Sequence, residues 1–338
     1  MVIVMLDREE FSFQDLDARP LAGAQTAFIE LVKAFLRLGH HVFVRNYSEV
    51  EYVDGNLDWR HIERSEIPPA DLVIVNRSTT LFKYVEGHKK KVKLWLHNEA
   101  KYLVYLHNLK LLFKYRPVLI FSGSYHRSTF PIGFLFKNRI IPYGISGAFK
   151  VSDLLKELPR PRVIFTSNPL RSLDWLVDKW KVIHRSVPSA ELHVYSGPST
   201  YGKWGEKVSD KMNRVLGYAQ AHKDIGVVIH EPIPKRKLIE VMKQYRGMLY
   251  RGDKAETFCL AVAEAQSLGL PCVVQDIGSM KERVKDGITG FVTENDSEFI
   301  EKSIQLLQDN PTWQRMHKNC IAMNLNNSWS DSAKMFIE

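Results

Sequence analysis

Residues Met248–Val274 read MLYRGDKAETFCLAVAEAQSLGLPCVV, and this segment is the most informative about the fold class. It opens on a short apolar run, Met248–Tyr250, which predicts a strand, and continues through a polar loop. The next segment predicts a helix over Ala261–Leu268, because Gly269 stands just past its end and a proline follows. A second apolar run, Pro271–Val274, predicts another strand. A strand, a helix and a strand in this order are typical of a parallel sheet covered by helices.

Similar apolar runs recur along the chain, with amphipathic helical segments between them. Runs of four to six apolar residues indicate strands that are buried on both faces. We therefore expect an α/β protein with two Rossmann-like, doubly wound domains of six strands each. The predicted strands are Val2–Leu6, His41–Val44, Leu72–Val75, Val92–Leu96, Val118–Phe121 and Arg139–Ile141, then Val163–Thr166, Glu191–Tyr195, Val227–Ile229, Met248–Tyr250, Pro271–Val274 and Phe291–Thr293.

The break between the two halves lies near Ile141–Gly147, where a proline and two glycines end the first sheet. The polar stretch Lys150–Pro161 leads into the second. Further along, Asn295–Ser297 offers N-caps for a helix predicted over Glu298–Leu307. A chain of 338 residues is longer than one hydrophobic core normally serves, which agrees with two domains.

The composition is that of an ordinary globular protein, with 45% hydrophobic and 25% charged residues. No apolar run reaches the roughly 18 residues that a membrane-spanning helix requires. The start, Met1–Phe11, predicts a buried first strand and not a signal peptide. Since Cys259, Cys272 and Cys320 form no CxxC pair, we expect reduced thiols in a cytoplasmic protein.

The net charge of +9 is unevenly distributed. It is −6 over residues 1–76, +12 over residues 77–150 and +3 over residues 151–338, so one stretch should face an anionic partner. Within it, Lys101–Arg116 lacks acidic residues and, with Phe134–Lys137, is typical of a surface on anionic lipid. The alternative is a core helix with a solvated basic edge, and Lys89–Lys91 predicts a solvated turn. Without a recognised nucleic-acid-binding module, no nucleic acid partner is expected.

Two glutamates eight residues apart flank the start of the helix predicted in the opening stretch. We expect Thr257, Phe258, Cys259 and Leu260 to form its first turn, whose unpaired N–H groups suit a diphosphate. Glu256 precedes them, and the Glu264 carboxylate can accept hydrogen bonds from two adjacent ribose hydroxyls. The alternative is a loop acid and a solvent-facing helix acid that are paired only by chance.

The spacing Glu256-x7-Glu264, the run Glu264–Val274, and then Gly278, Glu282 and Asp286–Val292 resemble the retaining family-4 glycosyltransferases of GT-B fold. Weaker similarity covers most of the chain. Arg139–Ile145 resembles the interdomain stretch, with Tyr143 where Asn is usual. Leu21–Gln25 resembles the small-residue loop after the first strand and keeps one glycine, Gly23. Trp329–Ser330 resembles the helix that crosses back to the first domain.

The resemblance implies two domains that face a cleft. The first, over residues 1–149 with the C-terminal helix 325–338, would serve the acceptor. The second, over residues 150–324, would bind the nucleotide sugar. Glu264 would hold the ribose. The backbone of Thr257, Phe258, Cys259 and Leu260 would hold the diphosphate and sugar hydroxyls, with Glu256 beside them and Gly23 in the facing loop.

The family often carries an Arg and a following Lys after the first strand of its second domain. Arg171 fits the place of the Lys, whereas Thr166 or Ser167 stands where the Arg is usual, so one cation is missing beside the leaving diphosphate. A guanidinium there can neutralise that group bidentately. The alternative is a solvated first-turn arginine.

His97 ends a predicted strand where the family commonly has a histidine facing the transferred sugar. The alternative is a buried histidine whose hydrogen bonds are satisfied by the fold. The resemblance implies that the acceptor hydroxyl attacks the face that the diphosphate leaves, and that a phosphate oxygen takes its proton. Catalysis would then rest on positioning and charge stabilisation.

Two other patterns predict no site. Gly197–Lys203 fits GxxxxGK, but Trp204 replaces the Ser or Thr that would bind magnesium. Asp15–Asp17 spells DxD, the metal motif of the other glycosyltransferase fold. We expect no metal and no cofactor, and the lack of a GxGxxG after any strand argues against a dinucleotide oxidoreductase.

The resemblance, taken with these features, implies a retaining, metal-independent hexosyltransferase that uses a nucleotide sugar and a glycan or lipid-linked acceptor, as in lipopolysaccharide biosynthesis. It would be cytoplasmic and peripheral on the inner face of the cell membrane. A non-catalytic two-lobed ligand-binding protein and a GT-B-fold sugar-nucleotide epimerase are the alternatives. The identities of the sugar, the base, the acceptor and the linkage do not follow from the sequence.

Overall fold

The computed structural model describes residues 1–87, 92–151, 154–155, 157–323 and 327–338. Within these residues the chain divides into two compact units. Unit 1 comprises Met1–Leu16, Ala24–Gly144 and Asn327–Glu338, and unit 2 comprises Asp17–Gly23 and Ile145–Asn326. The predicted stretch Lys89–Lys91 lies outside the described residues.

The described part of unit 1 holds one eight-stranded sheet in the order β3-β4-β2-β1-β5-β6-β7-β8. Its strands pair in parallel, except that β3 and β4 are antiparallel. Apolar runs put these strands in the core, as in β5, whose five residues are all buried. The strands are β1 (Val2–Leu6), β2 (His41–Asn46), β3 (Tyr52–Asp54), β4 (Leu57–His61), β5 (Leu72–Asn76), β6 (Val92–Trp95), β7 (Val118–Phe121) and β8 (Asn138–Ile140).

The six strands predicted for the first half are all present, within two residues at each end. The apolar runs do not predict β3 and β4, which form a hairpin at one edge of the sheet. Gly55 of that hairpin has φ +52°, a left-handed conformation that favours glycine. The dipeptide Asp54-Gly55 is a hairpin signal that could have identified the pair.

Helices flank this sheet, and the C-terminal one returns to it as predicted. That helix packs into unit 1, where a Cβ on Gly144 would lie 2.3 Å from the backbone nitrogen of Trp329. Its start is fixed by a capping box between Ser328 and Asp331. The α-helices of the first half and the C-terminus are α1 (Asp15–Ala18), α2 (Gly23–Arg37), α3 (Leu106–Tyr115), α4 (Ser124–Ser128) and α13 (Trp329–Ile337), and 3-10 helices cover Thr79–Tyr84, Ala100–Val104 and Gly133–Leu135.

The described part of unit 2 holds a six-stranded parallel sheet in the order β11-β10-β9-β12-β13-β14. All six predicted strands are present, each within a residue at either end. They are β9 (Arg162–Phe165), β10 (Glu191–Tyr195), β11 (Val227–His230), β12 (Gly247–Tyr250), β13 (Cys272–Gln275) and β14 (Gly290–Thr293).

Two helix ends of unit 2 lie where the sequence signals predicted. Asn295 caps α11 by accepting from the backbone N–H of Glu298, and Gly269 follows α9 with φ +81°. The helices are α5 (Leu173–Ser186), α6 (Gly202–Lys207), α7 (Ser209–Gln220), α8 (Lys235–Met242), α9 (Leu260–Ser267), α10 (Met280–Arg283), α11 (Asp296–Gln308) and α12 (Asn310–Met323), and 3-10 helices cover Gly147–Phe149, Pro198–Tyr201 and Lys223–Ile225.

The units differ from the predicted domain limits of 1–149 and 150–324 at two places. Ile145–Phe149 and Asp17–Gly23 group with unit 2, although the sequence analysis assigned them to the first domain. Phe149 gives the physical reason for the first difference, because it is buried and its ring lies 5.7 Å from Nζ of Lys235 in α8. Residues 325 and 326 of the predicted C-terminal helix lie outside the described residues.

Candidate active site

The candidate site of unit 2 gathers where two neighbouring strands end. β9 and β12 lie side by side in the sheet, so the loops after them share one edge. The loop after β9 carries Ser167 and Arg171, and the loop after β12 carries Glu256 and leads into α9. In parallel α/β sheets this carboxyl edge is where ligands bind.

The loop after β12 is held against the residues that follow β13. Gly278 permits the contact, because a Cβ there would lie 2.3 Å from the carbonyl oxygen of Asp253. The backbone N–H of Ser279 donates to the carbonyl of Glu256 at 3.0 Å. Gly252 and Gly278 both have left-handed backbone, with φ +92° and +64°. The position of Glu256 is therefore fixed by backbone packing.

The helix after this loop does not include most of the residues expected in its first turn. α9 starts at Leu260, and Cys259 is its N-cap in a left-handed conformation with φ +65°. Thr257, Phe258 and Cys259 thus precede the helix and do not form its first turn, which is a correction to the sequence analysis. The reason is local, because the left-handed backbone at Cys259 interrupts the helical conformation.

Glu256 lies at the centre of a buried polar cluster. Its Oε2 accepts from the Arg171 guanidinium in a short ion pair, and from the Tyr250 hydroxyl at 2.9 Å. Ser167 donates from its hydroxyl to the Tyr250 oxygen at 3.4 Å. The side chains of Arg171 and Glu256 are 30% and 10% exposed. Arg171 and Glu256 therefore both belong to the buried polar cluster. The structure does not show the alternative, in which Arg171 is a solvated first-turn residue.

Burial and charge fix the protonation of this cluster. The Glu256 carboxylate raises the pKa of Arg171, so the guanidinium is charged. Burial raises the pKa of Tyr250 well above its ordinary value, and the Glu256 charge adds to this. Tyr250 is therefore a neutral phenol that donates its proton to Glu256. Burial also raises the pKa of the Cys259 thiol, which excludes a reactive thiolate at the start of α9.

Glu264 has its own basic partner. It lies in the second turn of α9, and its Oε2 accepts from Nζ of Lys235 at 2.5 Å. The Glu264 side chain is 5% exposed. A helix acid facing solvent was the alternative in the sequence analysis, and its burial excludes that. Burial of a carboxylate requires a compensating charge, which Lys235 provides.

Sequence reasoning missed two members of the site, Lys235 and Tyr250. Tyr250 was placed in a strand but not identified as a site residue, although the last residue of a buried parallel strand is a common position for one. Lys235 begins α8 after Pro232 and Pro234, and nothing in that local sequence points to Glu264. Only the fold brings the two together.

His97 lies in unit 1, outside this cluster. Its Nε2 contacts Oδ1 of Asn76 and its Nδ1 contacts the Tyr143 hydroxyl, each at 2.5 Å. Since an amide oxygen only accepts, Nε2 carries the proton and Nδ1 accepts from Tyr143. Burial lowers the pKa of His97 well below its ordinary value, so the ring is neutral. His97 is thus a buried histidine whose two ring nitrogens both have hydrogen-bond partners. Its role toward a sugar stays a prediction.

Gly23 and the rejected Asp15–Asp17 pattern make ordinary local contacts. A Cβ on Gly23 would lie 3.4 Å from the Leu260 side chain, an ordinary contact, so its predicted role is untested. Asp15 accepts from the backbone N–H of Ser12, and Asp17 pairs with Arg236 at 3.0 Å. In the part of the chain that the structure describes, no group of three or more His, Cys, Asp and Glu side chains could hold a metal ion.

No helix formed by the described residues is long and apolar enough to cross a membrane. Unit 1 nevertheless exposes apolar side chains beside basic ones. On α3, Leu106 is 69% and Phe113 56% exposed, and in the following segment Phe134 is 80% and Leu135 55% exposed. The two places meet where the Phe113 ring packs 5.1 Å from that of Phe136. The alternative of a core helix with only a basic edge is therefore incomplete, since apolar side chains are exposed as well.

Comparison with known proteins identifies the family to which unit 2 is similar. Residues 160–309 match the family described as "Glycosyl transferases group 1". A D-inositol 3-phosphate glycosyltransferase of Nocardia farcinica is 26% identical over 174 residues, which are 50% of this chain and 37% of that protein. A trehalose synthase of Pyrococcus furiosus is 24% identical over 177 residues, covering 50% and 42%. The matched segment thus spans less than half the length of these curated relatives.

Solved structures with the same fold cover nearly the whole chain. WaaG, a glycosyltransferase involved in lipopolysaccharide biosynthesis, has a TM-score of 0.69 at 13% identity and covers 99% of this chain and 98% of its own. HepE of Anabaena in complex with UDP-glucose has a TM-score of 0.70 at 15% identity, with the same coverages. Trehalose-6-phosphate synthase OtsA has 0.76 at 10%, covering 100% and 98%. The predicted GT-B fold class and the family-4-like resemblance are confirmed.

Proposed function

We propose that this chain, whose residues 160–309 form a glycosyl transferases group 1 domain, transfers a hexosyl-type unit from a nucleotide sugar with retention of anomeric configuration. One observation carries the proposal. Glu256 and Glu264, eight residues apart, are both buried at the carboxyl edge of the sheet, and each is paired with a basic side chain from another element. Buried charged groups that converge at a ligand-binding edge are typical of a site.

The parts of a nucleotide sugar fit this arrangement in order. The ribose hydroxyls would donate to Glu264, and the diphosphate would face Arg171 and the backbone N–H groups around Thr257–Leu260. Arg171 supplies positive charge where the leaving group gains negative charge, which is the general strategy of electrostatic catalysis. Glu256 would then accept from a hydroxyl of the transferred sugar.

In this mechanism the protein provides no nucleophile. The acceptor oxygen attacks the anomeric carbon on the face that the diphosphate leaves, and its proton passes to a phosphate oxygen of that leaving group. The bond from the anomeric carbon to the diphosphate breaks as the new glycosidic bond forms. The contribution of the chain is positioning and charge stabilisation, and we propose that neither a metal nor a cofactor takes part.

A thermal-shift screen with nucleotide sugars is the direct test. We expect UDP-, GDP- or ADP-sugars to raise the melting temperature, because a ligand of the folded state stabilises it by mass action. Slow hydrolysis of the bound sugar nucleotide without acceptor should follow. Release of the sugar marks a transferase, recovery of an isomeric sugar nucleotide marks an epimerase, and binding without turnover marks a non-catalytic binding protein. The last two outcomes contradict the proposal.

We further propose that the acceptor is a glycan or lipid at an anionic membrane surface on the cytoplasmic side, where the protein binds peripherally. The apolar side chains of Leu106, Phe113 and Phe134 are exposed beside Lys110 and Lys114. Apolar residues that enter the interface and cations that meet acidic headgroups are the two components of such binding. Each Lys or Arg near the surface contributes about 1 kcal/mol.

Vesicle co-sedimentation tests this surface. Replacing Lys110, Lys114 and Arg116 by Gln should weaken binding to acidic vesicles roughly tenfold or more while leaving donor affinity intact. High salt should have a similar effect, since exposed charges are screened beyond about 8 Å at physiological ionic strength. A matched control replaces Lys211, Arg214 and Lys223, which are exposed on unit 2, by Gln.

The control should bind acidic vesicles as the unaltered protein does. Equal binding to neutral and acidic vesicles, or binding to neither, would reduce the surface to a solvated edge and favour a soluble acceptor. A Phe134→Ser variant separates the apolar contribution, and we expect it to weaken vesicle binding at high salt as well as at low salt.

A further inference from the structure

Lys235 and Glu264 form an ion pair in which both side chains could contact a ligand. Nζ of Lys235 lies 2.5 Å from Oε2 of Glu264, and the two side chains are 21% and 5% exposed. The carboxylate is thus almost sealed inside the unit, whereas the ammonium keeps contact with solvent. A ligand that reaches Glu264 must therefore lie beside Lys235.

Three elements hold the lysine in this place. Lys235 is the first residue of α8, which begins after Pro234, and Leu238 closes the first turn by donating to the Pro234 carbonyl at 3.0 Å. The buried ring of Phe149 lies 5.7 Å from Nζ on another side. Glu264 on α9 is the third group that contacts the ammonium. The ammonium is therefore positioned by packing as well as by its ion pair.

The hydrogen-bonding capacities of the two groups are complementary to a hydroxyl. A carboxylate only accepts, whereas an ammonium offers three donors and accepts nothing. A hydroxyl donates one bond and accepts others, so it can donate to Glu264 and accept from Lys235 at the same time. A glutamate alone satisfies only the first of these bonds.

We propose that Lys235 is a second ribose-binding residue, which acts with Glu264 to recognise the 2′,3′-diol of the donor nucleotide. This inference rests on the proposed function, which places the ribose at Glu264. The lysine also cancels a negative charge that would otherwise repel a nearby diphosphate. Because Lys235 would form hydrogen bonds with the diol, its loss should weaken the binding of ribonucleotides more than that of nucleotides that lack one of the two hydroxyls.

Calorimetric titration with nucleoside diphosphates tests the role without requiring the acceptor. The probes are UDP, GDP and ADP, followed by the 2′-deoxy and 3′-deoxy forms of the one that binds. The unaltered protein should prefer the ribonucleotide about tenfold or more, as expected when hydrogen bonds to charged groups are lost. Lys235→Met should bind the ribonucleotide about tenfold more weakly and at least one deoxy form with a much smaller loss.

Two further variants complete the design. Lys235→Arg keeps the charge and the donors and should restore most of the preference for the ribonucleotide. Lys237→Met removes a lysine that is exposed two residues further along α8 and should behave as the unaltered protein does. Thermal unfolding of each variant verifies that it is folded.

The outcomes separate this inference from the function on which it rests. If Lys235→Met weakens ribo- and deoxynucleotides equally, or neither, Lys235 is only a structural counter-ion of Glu264 and the inference is overturned while the function stands. If the unaltered protein binds none of the three nucleoside diphosphates, the proposed function is overturned and this inference with it.

Discussion

Glu256→Gln should tighten the binding of a nucleoside diphosphate while it abolishes transfer. In the free protein the Glu256 carboxylate forms a direct ion pair with Arg171. Arg171 is the one basic side chain that we assign to the diphosphate. Glutamine removes the negative charge but keeps an oxygen that can accept from Tyr250. A nucleoside diphosphate lacks the transferred hexosyl unit, so it loses no contact when Glu256 changes.

The magnitude follows from the charges of the site. At an effective dielectric constant of about 20, a unit charge about 6 Å from another contributes roughly 3 kcal/mol. Screening by salt and the 30% exposure of Arg171 reduce this value. We therefore expect a gain of about 1.4 kcal/mol, which is about tenfold in Kd.

The same change should lower the stability of the free protein. Removing one partner of a buried ion pair costs about 3–5 kcal/mol, and the partial exposure of Arg171 brings the expected loss to roughly 1–2 kcal/mol. Since a bound diphosphate would supply a new partner for Arg171, saturating ligand should recover much of the difference in Tm.

The assay combines calorimetric titration of UDP, GDP and ADP with thermal unfolding in the absence and presence of ligand. Glu301→Gln is the matched control, because Glu301 is 70% exposed and pairs with Lys302 on the surface. Weaker or unchanged affinity in Glu256→Gln, in a folded protein, would refute the competition between Glu256 and the diphosphate for Arg171.

The other predictions use related measurements. Glu264→Gln should have the opposite effect on affinity and weaken the binding of nucleoside diphosphates about tenfold or more, because the ribose hydroxyls would then donate to a neutral amide instead of a carboxylate. Unchanged calorimetric affinity would remove the ribose assignment. Tyr250→Phe deletes a hydrogen bond to Glu256 and should lower kcat about tenfold with a smaller effect on donor KM, and an equal effect on both constants would contradict a positioning role. Activity should survive EDTA; complete loss that manganese restores would revive a metal site at Asp15 and Asp17. Burial lowers the pKa of His126 to about 4, so the unfolded chain binds the extra proton between pH 6.5 and 4. The protein should therefore lose up to roughly 3 kcal/mol of stability as pH falls through that window, and urea titrations of His126→Gln should show a smaller loss.

The features that could be predicted from the sequence are local ones. The apolar runs located the twelve predicted strands, and Gly269 and Asn295 marked helix ends because backbone conformation and capping depend on neighbouring residues. The spacing of Glu256 and Glu264 indicated the candidate site, since both lie on one loop and the helix that follows it. The position of Thr257, Phe258 and Cys259 ahead of α9 was not predicted, because a left-handed backbone at Cys259 does not follow from its side chain, which disfavours that conformation.

The partners of the buried polar side chains depend on the tertiary fold. Arg171 and Glu256 are 85 residues apart, Lys235 and Glu264 are 29 apart, and His97 and Tyr143 are 46 apart. Each contact joins separate elements that the parallel sheets bring to one place, so it depends on strand order and packing, which no local pattern encodes. A carboxylate whose sequence neighbours suggest a solvated residue thus becomes a buried, charge-paired group, because burial and the position of the opposite charge are properties of the folded chain.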